Sequence, residues 1–489
     1  MNSLNYASLF QLTLPETILE VFSLLILLVD LGFLRKSAQS TRMTAACVLG
    51  VIGSLAAAIC LVCCPQFTSN TAALVSSPIV VAAQIGILLL TALVLLLSFK
   101  ARFSRNPGEF VTVVLLATTG MLLVTAARDL LLIFIALELL SLSLYILTAF
   151  SKSSAQSAEA ALKYCLFGGM SAALMLFGFT YLYGLTGSTN LAEIAASLAT
   201  QGVTPLLIVA LVMVAAGLGF KVAAVPFHLW APDTYQGAPA PVTALIASGS
   251  KVASFAVLVA VTTAVVPAAA SSQASSQGAS WTVLLLTMAA ASILLGNLAA
   301  LVQTSVRRLL AYSAIAHAGY MLLGIAANTP QSGTAVLYYA LTYALTTIGA
   351  FGVIAIVERT TGSDNLDAFA GLSRRNPLLA GTMLVFLLSL AGIPPLVGFW
   401  AKFNLFAAVL RAPSTTVWGL GFVAAALAAS AVSLYYYLQV LKRIYVLKPT
   451  NEEPLEVSPL ELATLVLITA AVVALGLFPA ALASWIPLG

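Results

Sequence analysis

The chain has 489 residues, 61% of them hydrophobic and only 8% charged, with a mean hydropathy of +1.06. That composition excludes a soluble fold, because too few polar side chains are present to cover a globular surface. The net charge of +5 does not point to nucleic acid, since the basic residues are scattered over short segments between apolar runs, where they report topology.

Apolar runs of about 20 residues recur along the chain, the length of a helix across a bilayer, whereas a membrane strand would need about ten residues of alternating polarity. They are expected near 12–34, 42–64, 78–98, 110–126, 129–149, 159–184, 205–236, 241–267, 281–302, 308–327, 334–357, 377–410, 415–440 and 459–482. The fold class is therefore all-α, a polytopic membrane protein of about fourteen transmembrane helices. The first run follows an acidic start (Pro15, Glu16, Glu20) without the basic flank of a cleaved signal peptide, so it reads as a permanent span. In the second, Cys60-x-x-Cys63-Cys64 has no histidine or second cluster beside it and reads as small apolar side chains of a helix. The seventh and twelfth runs are too long for one straight crossing. They contain Pro226 and Pro394-Pro395, which remove backbone donors and break helices.

Taking alternate loops from the first, one side collects Arg35, Lys36, Arg42, Lys100, Arg102, Arg105, Lys152, Lys163, Arg307, Arg308, Arg359, Arg374, Arg375, Lys442, Arg443 and Lys448. The other keeps only Arg128 and Arg411, and the rest of the 21 basic residues are three lysines inside spans. By the positive-inside rule the first side is cytoplasmic and both termini face the periplasm. The longer loops of the opposite side, Gln66 to Ser77, Gly184 to Thr204 and Pro267 to Ser280, are rich in Ser, Thr, Ala and Gly and read as connectors.

Lys221, Lys251 and Lys402 sit inside spans, and Glu138 lies about 15 Å deep, ten residues beyond Arg128 at 1.5 Å per residue. A charge at bilayer centre costs roughly 2.5–3.5 kcal/mol, so four of them mark a functional path. Lys221 and Lys402 belong to the proline-broken spans, where free backbone groups can line a polar cavity. Burial disfavours the charged form of a lysine and a nearby carboxylate favours it, so a Glu138–Lys221 pair would act as a proton switch. The alternative is that each lysine snorkels or caps a broken helix. Mid-span depth argues against snorkelling.

Two histidines are the whole supply. His317 and His228 both lie in membrane runs, where each is either a proton relay or a satisfied interior histidine; a metal site is not expected. Tyr435-Tyr436-Tyr437 and Tyr338-Tyr339 could donate to a water chain but read as packing or interfacial aromatics. Glu138 comes ten residues after Arg128 and His317 ten after Arg307, and the broken spans are also five apart. Five being odd, the corresponding elements are inverted, which predicts two inverted five-helix repeats. A single membrane domain, 1–489, is expected, with helices 1–3 over 1–109, the first repeat over 110–267, the second over 281–440 and helix 14 over 459–482.

The run Gly217-Leu-Gly-Phe-Lys-Val-Ala-Ala-Val-Pro-Phe-His-Leu-Trp-Ala-Pro-Asp-Thr-Tyr-Gln-Gly-Ala-Pro-Ala-Pro-Val, continuing to Ser250-Lys251, strongly resembles the antiporter-like membrane subunits of respiratory complex I. Leu137-Glu-Leu-Leu-Ser-Leu, Arg307-Arg-Leu-Leu-Ala-Tyr-Ser-Ala-Ile-Ala-His, Ile393-Pro-Pro and Gly398-Phe-Trp-Ala-Lys402 add to the resemblance over about 130–440. It implies Glu138 as the glutamate partner, Lys221 as the proton-holding lysine of the broken seventh helix, Lys251 as the connecting lysine and Lys402 as the exit lysine of the broken twelfth. It also implies sister antiporter-like subunits and small helical subunits as partners in a bacterial inner membrane. NADH, FMN, Fe–S clusters and quinone would lie in those partners, with no cofactor in this chain. The expected activity is proton translocation driven by quinone reduction elsewhere. The alternatives are a subunit of a multisubunit cation/proton (Mrp-type) antiporter, or a structural subunit whose lysines only hold helices together.

Overall fold

The computed structural model describes residues 6–63, 73–101, 103, 106–200, 204–265, 272–412, 418–449 and 455–483. The membrane helices are α1 (Leu14–Leu28, continued by a wider turn at Val29–Phe33), α2 (Gln39–Cys63), α3 (Pro78–Leu97), α4 (Pro107–Ala126), α5 (Leu130–Thr148), α6 (Ala155–Thr186) and α7a (Pro205–Val222) with α7b (Trp230–Gly237). They continue with α8a (Ala240–Ala247) and α8b (Gly249–Val265), α9 (Ser272–Leu301), α10 (Val306–Ala327), α11 (Pro330–Thr361), α12a (Pro377–Ala391), α12b (Val397–Arg411), α13 (Trp418–Tyr445) and α14 (Pro459–Leu477). Among the described residues, twelve helices are long and apolar enough to cross a membrane. α1 with its continuation, and the two halves of α12, complete the crossings expected from the sequence.

Local chemistry sets where these helices start. Ser77, Thr204, Thr329 and Asn376 each accept a hydrogen bond from the first turn through the side chain, and each is followed by a proline that needs no donor there. Inside the bilayer a helix satisfies its own backbone, so composition and caps suffice to define the segments. The loop from Gly184 to Thr204 is more than a connector: it holds a helix, Leu191–Thr200. α9 likewise begins at Ser272, inside the stretch read as the third long loop, while residues 266–271 and 64–72 lie outside the described residues.

Both expected breaks are present. In α7, Ala223 turns left-handed at φ 59, Ser292 of α9 accepts from the Val225 N–H at 2.9 Å, and the Trp230 indole donates back across the break to the Phe220 carbonyl at 3.0 Å. In α12, Gly392 takes φ 86 and Ser389 accepts from the Gly398 N–H at 3.2 Å. A third interruption, at Ser248 (φ −116, ψ −93), divides α8 three residues before Lys251; no proline announces it in that turn.

Asp129, which caps α5, bridges to Asn190 beyond α6, and Ser305, which caps α10, bridges to Asn365 beyond α11. The bridging loops share a sequence, Thr186-Gly-Ser-Thr-Asn-Leu191 and Thr361-Gly-Ser-Asp-Asn-Leu366, with left-handed glycines at φ 73 and 72. They lie at opposite ends of the bundle, because α5 and α10 start from opposite ends. Around the second loop, Asp233 joins Lys163 at 2.8 Å and Arg308 at 2.6 Å, while Arg307 reaches Glu358 at 3.1 Å and Arg359 reaches Glu461 at 2.6 Å. Four of the basic residues assigned by sequence to one side, Lys163, Arg307, Arg308 and Arg359, thus make their ion pairs at one end.

Candidate functional site

The mid-helix charges fall into two groups. In the first, the last turn of α7a carries Lys221, whose Nζ lies 3.8 Å from Glu138 Oε1 on α5. Its hydrogen bond goes instead to Ser141 Oγ, one turn along α5 from the glutamate, and Ser141 in turn donates to the Leu137 carbonyl. Glu138 Oε1 has no hydrogen-bond partner among the described residues. The Lys221 side chain is 6% exposed and that of Glu138 24%, although the Glu138 Oε1 that faces the lysine is itself buried. A charged pair at this distance is held by Coulomb attraction without a shared proton, so displacing either member weakens it without breaking a hydrogen bond.

The second group is built on α10. Lys251, on the turn after the α8 interruption, donates to the Ala314 carbonyl at 2.7 Å and faces the Tyr343 ring with Nζ 5.5 Å from its centroid. His317, three residues beyond Ala314, packs against the same ring at 4.8 Å and against Tyr320 at 5.7 Å. Lys402 faces the other side of this arrangement, its Nζ 5.6 Å from the Tyr320 centroid. His317 therefore stands between two tyrosines, each of which carries a lysine. Its Nδ1 meets the Tyr339 hydroxyl at 2.8 Å, and its Nε2 meets the Tyr437 hydroxyl at 3.4 Å. α9 approaches α10 closely here: a Cβ on Gly296 would come within 2.6 Å of the Ala316 nitrogen, so glycine is required.

Lys402 is held at the break of α12, donating to the Ala391 carbonyl at 2.8 Å and to Ser430 Oγ at 2.7 Å. The capping alternative weighed for this lysine describes its geometry: it satisfies a carbonyl at the end of α12a.

His228 behaves differently from the other sequence-chosen residues. It lies buried in the break of α7, its Nδ1 has no hydrogen-bond partner among the described residues, and no side-chain hydrogen bond there joins it to Lys221. Side-chain hydrogen bonds likewise do not join the Lys221 group to the Lys251 group among the described residues; α7a and α8b pack against one another between them.

A protein family described as NADH:quinone oxidoreductase/Mrp antiporter, TM, matches residues 127–428, the stretch that carries Glu138, Lys221, Lys251, His317 and Lys402. NADH-quinone oxidoreductase subunit N 2 of Acidobacterium capsulatum is 49% identical over 99% of this chain and 100% of its own length. The chain belongs to the subunit N family. Among solved structures similar to this subunit N family member, respiratory complex I from Thermus thermophilus contains a chain 35% identical to it, covering 95% of this chain and 97% of that one with a TM-score of 0.79. The Mrp complex from Dietzia sp. DQ12-45-1b contains one 22% identical, covering 97% and 96% with a TM-score of 0.81, a likeness of fold.

Several polar groups of this subunit N family site escaped the sequence. Ser141, Ser313 and Ser430 are ordinary residues of apolar helices until tertiary contact sets Ser141 against Lys221, Ser430 against Lys402 and Ser313 against the Tyr437 hydroxyl. Reading Tyr339 and Tyr437 as packing aromatics was half of the matter: they are fully buried and also bond His317. The repeated Thr-Gly-Ser-x-Asn-Leu loop was the available signal for register. With Asp129 set against Ser305, His317 corresponds to Ser141, and Glu138 corresponds to Ala314. The ten-residue spacing that set Glu138 against His317 is therefore one turn out of step with the caps. In the matched register each lysine partner has a counterpart, since Glu138 faces Lys221 and the Ala314 carbonyl accepts from Lys251.

Proposed function

We propose that the chain translocates protons as subunit N of an NADH:quinone oxidoreductase, passing them along Glu138, Lys221, Lys251, His317 and Lys402 while quinone is reduced in other subunits. The observation that carries this reading is the burial of Lys251 and Lys402 with only carbonyls, a hydroxyl and tyrosine rings around them. Among the described residues no carboxylate pairs with either ammonium, so both can exist as neutral amines at modest cost, as a group that loads and unloads a proton must.

The switch is the loose Glu138–Lys221 pair. Glu138 is the partly exposed member, so a charge change in a neighbouring subunit reaches it first. When Glu138 is drawn away, Lys221 loses the attraction that favours its ammonium and yields its proton toward Lys251 through intervening water. Lys251 passes it to His317 and on to Lys402, and the broken α12 offers the way out. Moving one charge against 100 mV takes about 2.3 kcal/mol, which quinone chemistry in the partners supplies. NADH, FMN, Fe–S clusters and quinone belong to those partners in this reading. His228 then serves the break of α7 rather than the path.

The two like loops at opposite ends of the bundle support a division into inverted repeats over 110–267 and 281–440. The convergence of basic residues at one end supports a cytoplasmic assignment for that end, with both termini periplasmic in a bacterial inner membrane and sister membrane subunits alongside. The direct test is Glu138→Ala or Lys221→Ala in the assembled complex, comparing proton pumping with quinone reduction. Pumping at the native ratio would refute the switch. Sodium-dependent transport without quinone chemistry would favour the multisubunit antiporter instead.

A further inference from the structure

We propose that the Tyr437 hydroxyl is a proton-relay group between the Lys251 turn and His317. The proposal deepens the proposed function and rests on its row of residues. Tyr437 is 0% exposed and comes from α13, the helix that closes the bundle over α10. Its hydroxyl meets two polar side chains at once, Ser313 Oγ and His317 Nε2, both on α10. Ser313 directly precedes Ala314, whose carbonyl holds the Lys251 ammonium. The phenol thus spans the one turn of α10 that separates the place where Lys251 is held from the imidazole. On the other side of the ring, Nδ1 meets the Tyr339 hydroxyl at 2.8 Å.

A hydroxyl both donates and accepts, so it can pass a proton without keeping a charge. The Lys251 ammonium gives up a proton through water to Ser313 Oγ and becomes an amine. Ser313 gives its own proton to the Tyr437 oxygen, while the original Tyr437 proton leaves for His317 Nε2. One O–H bond breaks and one forms on each hydroxyl, and both end as they began. The imidazole, now protonated at Nε2, releases its Nδ1 proton to the Tyr339 oxygen while the original Tyr339 proton leaves through water for the Lys402 amine, which becomes an ammonium. Two nitrogens with a hydroxyl on each are what a through-ring transfer requires.

The neighbouring tyrosines make the assignment selective. The Tyr338 hydroxyl, on the same helix as Tyr339 and equally buried, has no hydrogen-bond partner among the described residues. Tyr435 is 58% exposed. Burial and aromatic character are therefore shared, and position relative to α10 distinguishes Tyr437.

The test is Tyr437→Phe in the assembled complex, with Tyr338→Phe as control and Lys251→Met as the check on the row. Each variant is read in membrane vesicles as the pH gradient formed per quinone reduced, with NADH oxidation by an artificial acceptor reporting intact partners. Tyr437→Phe is expected to slow proton delivery by about tenfold or more, the scale of a lost proton-transfer group, and Tyr338→Phe to pump as the native complex does. Native pumping by Tyr437→Phe with loss in Lys251→Met overturns the relay and leaves the row standing. Native pumping by both overturns the row as well. Equal loss in Tyr437→Phe and Tyr338→Phe assigns the effect to packing and overturns the relay. If Tyr437→Phe fails to assemble, Ser313→Ala removes the hydroxyl's other partner and carries the same expectations.

Discussion

Lys221 and Glu138 form an ion pair without a hydrogen bond: Nζ stands 3.8 Å from Oε1 while its proton is given to Ser141 Oγ on the same helix as the glutamate. Two different interactions therefore hold the lysine, one long-range and one directional. They can be removed separately.

Ser141→Ala takes away the hydroxyl and leaves the carboxylate. Interhelical hydrogen bonds in membranes average about 0.6 kcal/mol, with a maximum near 2, so assembly and melting temperature should change little. Proton pumping should fall, because Lys221 loses the group that fixes its ammonium beside Glu138. Vesicle acidification per quinone reduced, set against thermal unfolding of the purified complex, separates the two effects.

Lys251→Met and Lys402→Met should raise stability while removing transport. Each deletes an ammonium that no carboxylate among the described residues compensates, and a charge within the bilayer costs roughly 2.5–3.5 kcal/mol; part of that should return as a higher melting temperature. For Lys251 the loss of one hydrogen bond to a carbonyl inside α10 offsets only a fraction, whereas Lys402 gives up bonds to the helix-end carbonyl of Ala391 and to Ser430, so its gain should be the smaller. A lower melting temperature in both variants would show the lysines to be structural pins.

Gly392→Ala should disable the twelfth helix. The residue sits at φ 86, where a Cβ costs about 1–2 kcal/mol, and that Cβ would lie 2.9 Å from Lys402 Cδ. The ammonium would be pushed off the Ala391 carbonyl, so pumping should drop together with a small loss of stability. Normal pumping in this variant would mean that Lys402 does not need its place at the break.

Arg359→Gln should harm stability alone. The guanidinium grips Glu461 through two bonds, of 2.6 and 2.8 Å, and Glu461 is 2% exposed, tying α11 to α14. Leaving that carboxylate unpaired should cost roughly 3–5 kcal/mol. The amount of assembled complex should fall, while the proton-to-quinone ratio of what assembles stays native. A changed ratio would bring this pair into the transport path.

The membrane helices and the two broken spans were legible because they rest on one-dimensional properties: apolar length, caps and proline. The interruption of α8 at Ser248 was not, since no proline in that turn announces it and its conformation is set by what packs around it. The same holds for Leu191–Thr200, a helix within a stretch whose composition reads as a loop. Register between the halves was present in the sequence as the Thr-Gly-Ser-x-Asn-Leu repeat, yet its use required knowing that Asp129 and Ser305 are the matching caps.

The sequence by itself determined the class, the number of crossings and which charges are misplaced, because each depends on the cost of putting a given residue in hydrocarbon. Only the tertiary structure decided who serves those charges. Ser141, Ser313, Ser430, Tyr339 and Tyr437 carry no periodic or compositional mark that separates them from other small polar or aromatic residues of a membrane helix. A hydrogen bond is a short-range, directional contact, and which hydroxyl comes within reach of Lys221, His317 or Lys402 is fixed by how the helices cross, not by the order of residues along any one of them.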